Sequence, residues 1–166
     1  MTWDAVDEAS RQWEAAWPGL DTSPGEVLAR IQRLAHVIDE RQGVRLRRAF
    51  ELPVSNLGDF DVIRALRRAE PPHTLTHGQL KQAMLVSAAG LTGRLKRLED
   101  DGWIIREQSP SDARSVLIRL SEKGRAALDA GIEAHFDFEN SMLASLTPSQ
   151  REQLVIALRN LIVTLE

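Results

Sequence analysis

Thr92, Gly93, Lys96 and Arg97 stand within the ten-residue segment LTGRLKRLED. Residues three and four apart share one face of a helix, so these side chains would form a single surface. A hydroxyl and two cations at that spacing can contact base edges and phosphate oxygens. Ala89 and Gly90, just before them, are small enough to let a partner come close, and Ser87 has the type of an N-cap. Glycine inside a helix costs about 0.5–1 kcal/mol relative to alanine, so Gly90 and Gly93 point to closeness as what this surface supplies. An ordinary solvated helix face is the competing reading. A second constellation lies in SPSDARSVLIRL, where Asp112 and Arg114 are two residues apart. In extended chain they point the same way, so Asp112 can accept from the Arg114 guanidinium and aim it. An arginine aimed from a hairpin tip suits a narrow minor groove. A local ion pair that tidies the loop fits that pair equally well.

The elements that must position these residues follow from capping signals and periodicity. Ser23-Pro24-Gly25-Glu26, Thr76-His77-Gly78-Gln79 and Thr147-Pro148-Ser149-Gln150 read as capping boxes, the first and third with proline at the first helical position. They predict helices at about 3–16, 24–49, 59–69, 77–84, 87–100, 122–144 and 148–165, with Pro18 ending the first and Pro71-Pro72 closing the third. Only residues 103–120 read as strand: WIIREQ and SVLIRL are β-rich and SPSDAR joins them as a hairpin. On the helix at 87–100, Leu91, Leu95 and Leu98 form one apolar stripe, with Ala89, Thr92, Gly93, Lys96 and Asp100 opposite and Arg97 at the margin. Short helix, tight turn, helix, hairpin is the order of a winged helix-turn-helix.

At 166 residues the chain suits one domain with its own core. It has no cysteine, which removes disulfide and thiolate chemistry. The N-terminus MTWDAVDEAS lacks a signal-peptide pattern, and no apolar run reaches the roughly 18–20 residues of a membrane span, so a cytoplasmic location without membrane contact is expected. Net charge is −3, but it is unevenly spread. Residues 43–120 carry 13 lysines and arginines against 9 acids; residues 1–42 carry 4 against 8, and residues 121–166 carry 4 against 7. A polyanion is therefore drawn to the middle of the chain. The final helix, REQLVIALRNLIVTLE, is apolar around most of its circumference and asks for cover on more than one side, which a partner subunit supplies most simply. The first helix, with Trp13 and its neighbours Trp3 and Trp17, asks for the same more weakly.

Residues 75–128 resemble the core of the MarR (multiple-antibiotic-resistance regulator) family, and the resemblance extends over nearly the whole chain, including GDFDVIRALRRAEPPHTLT. The resemblance is carried by the Leu75-Thr76 opening, Arg97-Leu98-Glu99 with Gly102, the Asp112/Arg114 wing and the Leu120-Ser121 exit with Gly124. It implies a mainly α fold with a small β-hairpin wing: a winged helix-turn-helix DNA-binding lobe at 59–120 and a helical dimerisation region at 1–50 and 122–166. It further implies a homodimer that binds pseudo-palindromic double-stranded DNA, usually as a repressor, and is released by a small ligand. The set expected at the DNA is Ser87, Ala89, Gly90, Thr92, Gly93, Lys96, Arg97, Asp112 and Arg114. Ala88-Ala89-Gly90 is poorer in polar side chains than many recognition helices of the family.

Arg94 does not fit a DNA-reading role, because it flanks the core-facing stripe and requires an anion or a carboxylate. The chain is similar to the urate-responsive branch of the family, which carries an added N-terminal helix bearing a tryptophan. That similarity implies a site for a small planar aromatic anion built from Trp13, Asp61, Arg94 and Arg106. Plainer readings are a core Trp13, an Asp61–Arg64 pair one helical turn apart, and an Arg106 that faces solvent. No cofactor is expected, and no enzyme motif is present: the chain lacks a phosphate-cradling glycine loop, a nucleophile elbow and a metalloprotease helix. His135 with Glu139 and His73 with His77 could each offer two metal ligands, but lone pairs of this kind are usually ordinary surface or core residues. A winged helix used only for protein contact is the remaining alternative.

Overall fold

The computed structural model describes residues 3–49, 56–85, 88–110 and 112–166. Within them the chain forms seven helices and a small antiparallel sheet. Helix α1 (Ala5–Ala16) begins at Asp4, whose carboxylate accepts from the amides of Val6 and Asp7, while Asp7 accepts from the Asp4 amide. Helix α2 (Ser23–Ala49) starts at Ser23 itself, the residue expected to cap it, one residue before the expected start at 24. Capping there falls to Asp21, which accepts from the Ser23 amide at 3.0 Å. Arg30 ties the two helices together, reaching Asp4 at 2.9 Å and Asp7 at 2.7 Å.

The lobe is built from α3 (Leu57–Arg68), β1 (Leu75–Thr76), α4 (His77–Ala83), α5 (Leu91–Asp100), β2 (Ile104–Ser109) and β3 (Asp112–Leu120). The Thr76 capping box is formed as expected, with Thr76 Oγ1 accepting from the Gln79 amide and the Gln79 side chain accepting from Thr76. The sheet corrects the expectation of a hairpin alone. β1 adds a third strand on the far side of β3, in the order β1-β3-β2, with Leu75 opposite Ile118 and Thr76 opposite Leu117. Two residues are too few for alternation to reveal a strand. Phe60, Ile63 and Leu66 of α3, Leu80 of α4, Leu91, Leu95 and Leu98 of α5, and Trp103, Ile104 and Ile118 of the sheet form the core, closed by Leu46 and Leu128.

Helix α6 (Glu122–Met142) leaves the sheet at Ser121, whose hydroxyl caps the Gly124 amide and donates to the Gly102 carbonyl. A Cβ on Gly124 would overlap the Trp103 carbonyl, so the glycine of the strand exit is there for space. Further along α6, His135 is buried with Nε2 2.9 Å from Glu139. Gln42 of α2 donates to the same carboxylate at 3.0 Å, and Arg64 of α3 lies 3.6 Å from it. This cluster joins both long helices to the lobe. Burial, aided by Arg64, lowers the pKa of His135 below its ordinary 6.5 against the opposing pull of Glu139. Among the described residues, no group of three or more His, Cys, Asp or Glu is placed to hold a metal ion. None of the described helices is long and apolar enough to cross a membrane.

Helix α7 (Pro148–Leu165) carries the expected Thr147 box with Pro148 in its first turn. It has no buried residue, and Val155, Ile156, Ile162 and Val163 are exposed. Arg151 pins its start to Asn140 and to the Leu143 carbonyl.

Candidate nucleic-acid interface

The helix that carries Thr92, Gly93, Lys96 and Arg97 starts at Leu91 and not at 87. Its N-cap is Gly90, held at φ 72° and ψ 14°, a left-handed conformation that a Cβ would penalise. The Leu91 amide donates to the Ala88 carbonyl to close the turn, and the Arg94 amide donates to Gly90. Gly90 is therefore a turn residue, and Gly93 is the one glycine inside α5. Ala89 and Gly90 are exposed in that turn. Ser87, expected as the cap and as a contact, lies outside the described residues.

The two faces of α5 separate as the spacing requires. Leu91, Leu95 and Leu98 are buried, while Thr92, Gly93, Lys96 and Arg97 are exposed. Among the described residues, a Cβ built on Gly93 meets nothing closer than an Arg97 Nη1 at 3.8 Å, so none of them excludes a side chain there. Thr92 Oγ1 lies 3.5 Å from His77 Nε2, where α4 begins. Lys96 pairs with Asp100 at 2.6 Å, an exposed ion pair of the kind that contributes little and yields readily to a phosphate.

The wing is the β2–β3 hairpin, with a register irregularity between Gln108 and Ser109 near its tip. Arg119 of β3 pairs with Glu107 of β2 at 2.6 Å, which lowers the Glu107 pKa. Asp112 does not grip the guanidinium of Arg114. Its carboxylate accepts from the Arg114 backbone amide at 2.9 Å, so it shapes the turn. The Arg114 side chain is exposed, and among the described residues no carboxylate pairs with it.

Each of the four residues expected at a ligand has a partner of its own. Arg94 lies 3.7 Å from Asp59 of α3, the carboxylate its position demanded. Asp61 is fully buried, accepts from the Leu85 amide at 2.7 Å and lies 3.6 Å from Arg64. Arg106 of β2 donates through Nε to Glu99 of α5 at 2.7 Å, an interaction that raises its pKa further. Trp13 is 52% exposed and packs against Trp17, with ring centroids 5.2 Å apart and planes tilted by 34°. Asp59 itself was not singled out by the sequence. The pattern Asn56-Leu57-Gly58-Asp59 does mark a helix start, and Asn56 caps the Asp59 amide at 2.9 Å, but nothing in one dimension shows the arginines that meet Asp59 from α5.

A largely buried α3, a short α4 with Leu80 in the core, an α5 with one face in the core and one in water, and a three-stranded sheet ending in a wing define a winged helix-turn-helix protein. Residues 56–116 match the profile of the MarR family. The chain is 30% identical over 149 residues to the HTH-type transcriptional regulator PecS of Dickeya dadantii, spanning 90% of this chain and 87% of that one. The chain belongs to the MarR family of DNA-binding transcriptional regulators. Its fold is similar to that of the MarR family regulator Sco3205 from Streptomyces coelicolor, solved in complex with DNA (TM-score 0.76, 23% identity, 89% of this chain and 94% of that one). It is also similar to BpsR of Bordetella bronchiseptica, whose DNA binding is regulated by 6-hydroxynicotinic acid (TM-score 0.65, 22% identity, 81% of this chain and 97% of that one).

Proposed function

We propose that this regulator is a homodimeric repressor that reads a pseudo-palindromic operator with α5 and the wing and is released by a small planar aromatic anion. The observation that carries the DNA-reading part is the exposed face of α5, with Thr92, Gly93, Lys96 and Arg97 open and Gly93 uncrowded. Ala89 and Gly90 lead into that face, and Asp112 and Arg114 supply the wing contact. Ser87 completes the proposed set. The dimer rests on α7, whose apolar residues stand in water in a single chain, and on the exposed tryptophans in and beside α1. A 1–50 and 122–166 dimerisation region around a 59–120 lobe follows from that assignment.

For the ligand we favour urate or a similar anion, held by Trp13, Asp61, Arg94 and Arg106. Three of these bear on the recognition helix. Arg94 belongs to α5, Arg106 holds Glu99 of α5, and Asp61 holds the Leu85 amide in the segment before α5. An anion that draws on any of them competes with a contact that sets where α5 lies. A half-exposed tryptophan offers a ring for stacking. The effect of 6-hydroxynicotinic acid on BpsR favours a second reading, in which the ligand is another aromatic acid.

The test is a titration of urate into the protein with and without operator, followed by tryptophan fluorescence and operator occupancy. Operator affinity falls about 5- to 150-fold at saturation, and operator weakens urate binding by the same factor. Arg94→Ala keeps operator binding and loses the response. If millimolar urate changes neither signal, the urate assignment is wrong. If Arg94→Ala abolishes operator binding without ligand, its pair with Asp59 is its whole role.

A further inference from the structure

Among the described residues, Asp59 is the one carboxylate that meets two cations of α5, and no DNA or ligand role accounts for it. Its side chain is 4% exposed. Asn56 locks it, donating to Oδ2 at 2.9 Å while accepting from the Asp59 amide at 2.9 Å. From α5, Arg97 donates through Nη2 to Oδ1 at 3.0 Å and to Oδ2 at 3.4 Å, and Arg94 Nε lies 3.7 Å from Oδ1. Gly58 makes the arrangement possible: a Cβ there would stand 2.6 Å from Nη2 and 2.7 Å from Nε of Arg94, where the guanidinium now lies. A substituent at 58 would push Arg94 away from its acid.

The position of Arg97 gives this clamp a consequence at the DNA face. Its side chain is 57% exposed, yet one edge of its guanidinium is bound to a rigid, buried acid. Nη1 lies nearest the open Gly93. Arg97 is thus half on the proposed interface and half withdrawn from it. Phosphate contacts give affinity without sequence information, and each one neutralised adds about 0.9 to the log–log salt slope. A cation restrained by an internal acid is less available to a phosphate in an arbitrary position. It serves only a phosphate brought to the place where its free edge already points.

We infer that Asp59 is a specificity-determining residue: it holds Arg97, with Arg94, so that α5 offers Arg97 to the operator backbone and withholds it from unrelated DNA. The inference rests on the proposed DNA-reading face of α5. Removing the charge then frees a cation for any phosphate and releases the angle of the recognition helix at the same time.

The experiment compares the native chain, Asp59→Asn and Arg97→Lys on operator and on random-sequence DNA of equal length, across a salt series, by fluorescence anisotropy. Thermal melts establish that each variant is folded. In Asp59→Asn, binding to random DNA tightens about threefold or more, its salt slope steepens by about one, and the operator-to-random ratio falls. Arg97→Lys, at an exposed position, keeps the charge but loses the planar fork that Asp59 grips, and shifts all three readouts the same way by less. It tests the inference even if Asp59→Asn does not fold. A role confined to stability weakens both DNAs together with the slope unchanged, and that result in either variant overturns the inference. If the native chain shows no preference for operator, the DNA-reading assignment fails too. A native preference that both variants retain overturns the specificity role of Asp59 alone.

Discussion

At the scale of single residues, the exposed face of α5 was legible from spacing alone, because a helix of known phase sorts Leu91, Leu95 and Leu98 from Thr92, Gly93 and Lys96. Gly93 makes that reading testable. None of the described residues crowds it, so Gly93→Ala is expected to stabilise the protein by about 0.5–1 kcal/mol while weakening operator binding, because the added methyl stands where DNA would approach. Urea melts and anisotropy on the same preparation check both signs. A variant that is more stable and binds as well would mean that closeness at 93 is not used. What spacing could not supply was the partners. The side chain of Arg94 called for a carboxylate, but that carboxylate comes from α3, and the Glu99 that holds Arg106 comes from α5. Such pairs form across elements, and their geometry exists only after packing. The Asp112–Arg114 pair erred for a different reason: the acid found a nearer donor in the backbone amide, as short polar side chains in turns commonly do.

At the scale of elements, hydroxyl–glutamine boxes at Thr76 and Thr147 fixed two helix starts, since each satisfies orphan amides with residues that are local in sequence. The start of α5 was misplaced because Gly90 reads the same whether it lies within a helix or caps it in a left-handed turn. Gly124 reads as a motif in the sequence and as a steric necessity in the fold. Gly124→Ala is expected to cost about 1–3 kcal/mol, because the methyl would overlap backbone atoms of Trp103 that cannot swing aside. The loss should appear in the thermal midpoint, and an unchanged midpoint would place α6 further from the sheet. The junction of α2, α3 and α6 carries a pH signature. His135 has its pKa lowered in the folded chain, so the unfolded chain takes up the proton first as pH falls towards 6.5. Its contribution is in place above that pH and is lost progressively below it. Unfolding free energy is expected to decline from about pH 7.5 to about pH 5.5, and to decline less in His135→Gln. An equal decline in both would remove His135 as the source.

At the scale of the molecule, the basic middle of the chain holds α3, α4, α5 and the sheet, while the acidic ends hold α1, most of α2, α6 and α7, so the proposed division into lobe and dimerisation region follows the charge. Among the described residues, α7 carries more exposed large apolar side chains than any other helix. Replacing Leu158 and Leu161 with Asp is expected to give monomers or aggregates without operator binding, seen by light scattering. A native chain that is monomeric at micromolar concentration would contradict the dimer outright. A two-fold dimer sets its recognition helices about one turn of B-DNA apart, so half-sites are expected about 10 bp centre to centre. The central claim is that α5 and the wing read such a site. Its most direct test is an anisotropy titration of the native protein against a fragment from the region upstream of its own gene and against the same fragment shuffled, at fixed salt. The expected result is binding to the native fragment at least about a thousandfold tighter than to the shuffled one. Equal binding to both, with the protein folded and dimeric, would contradict it.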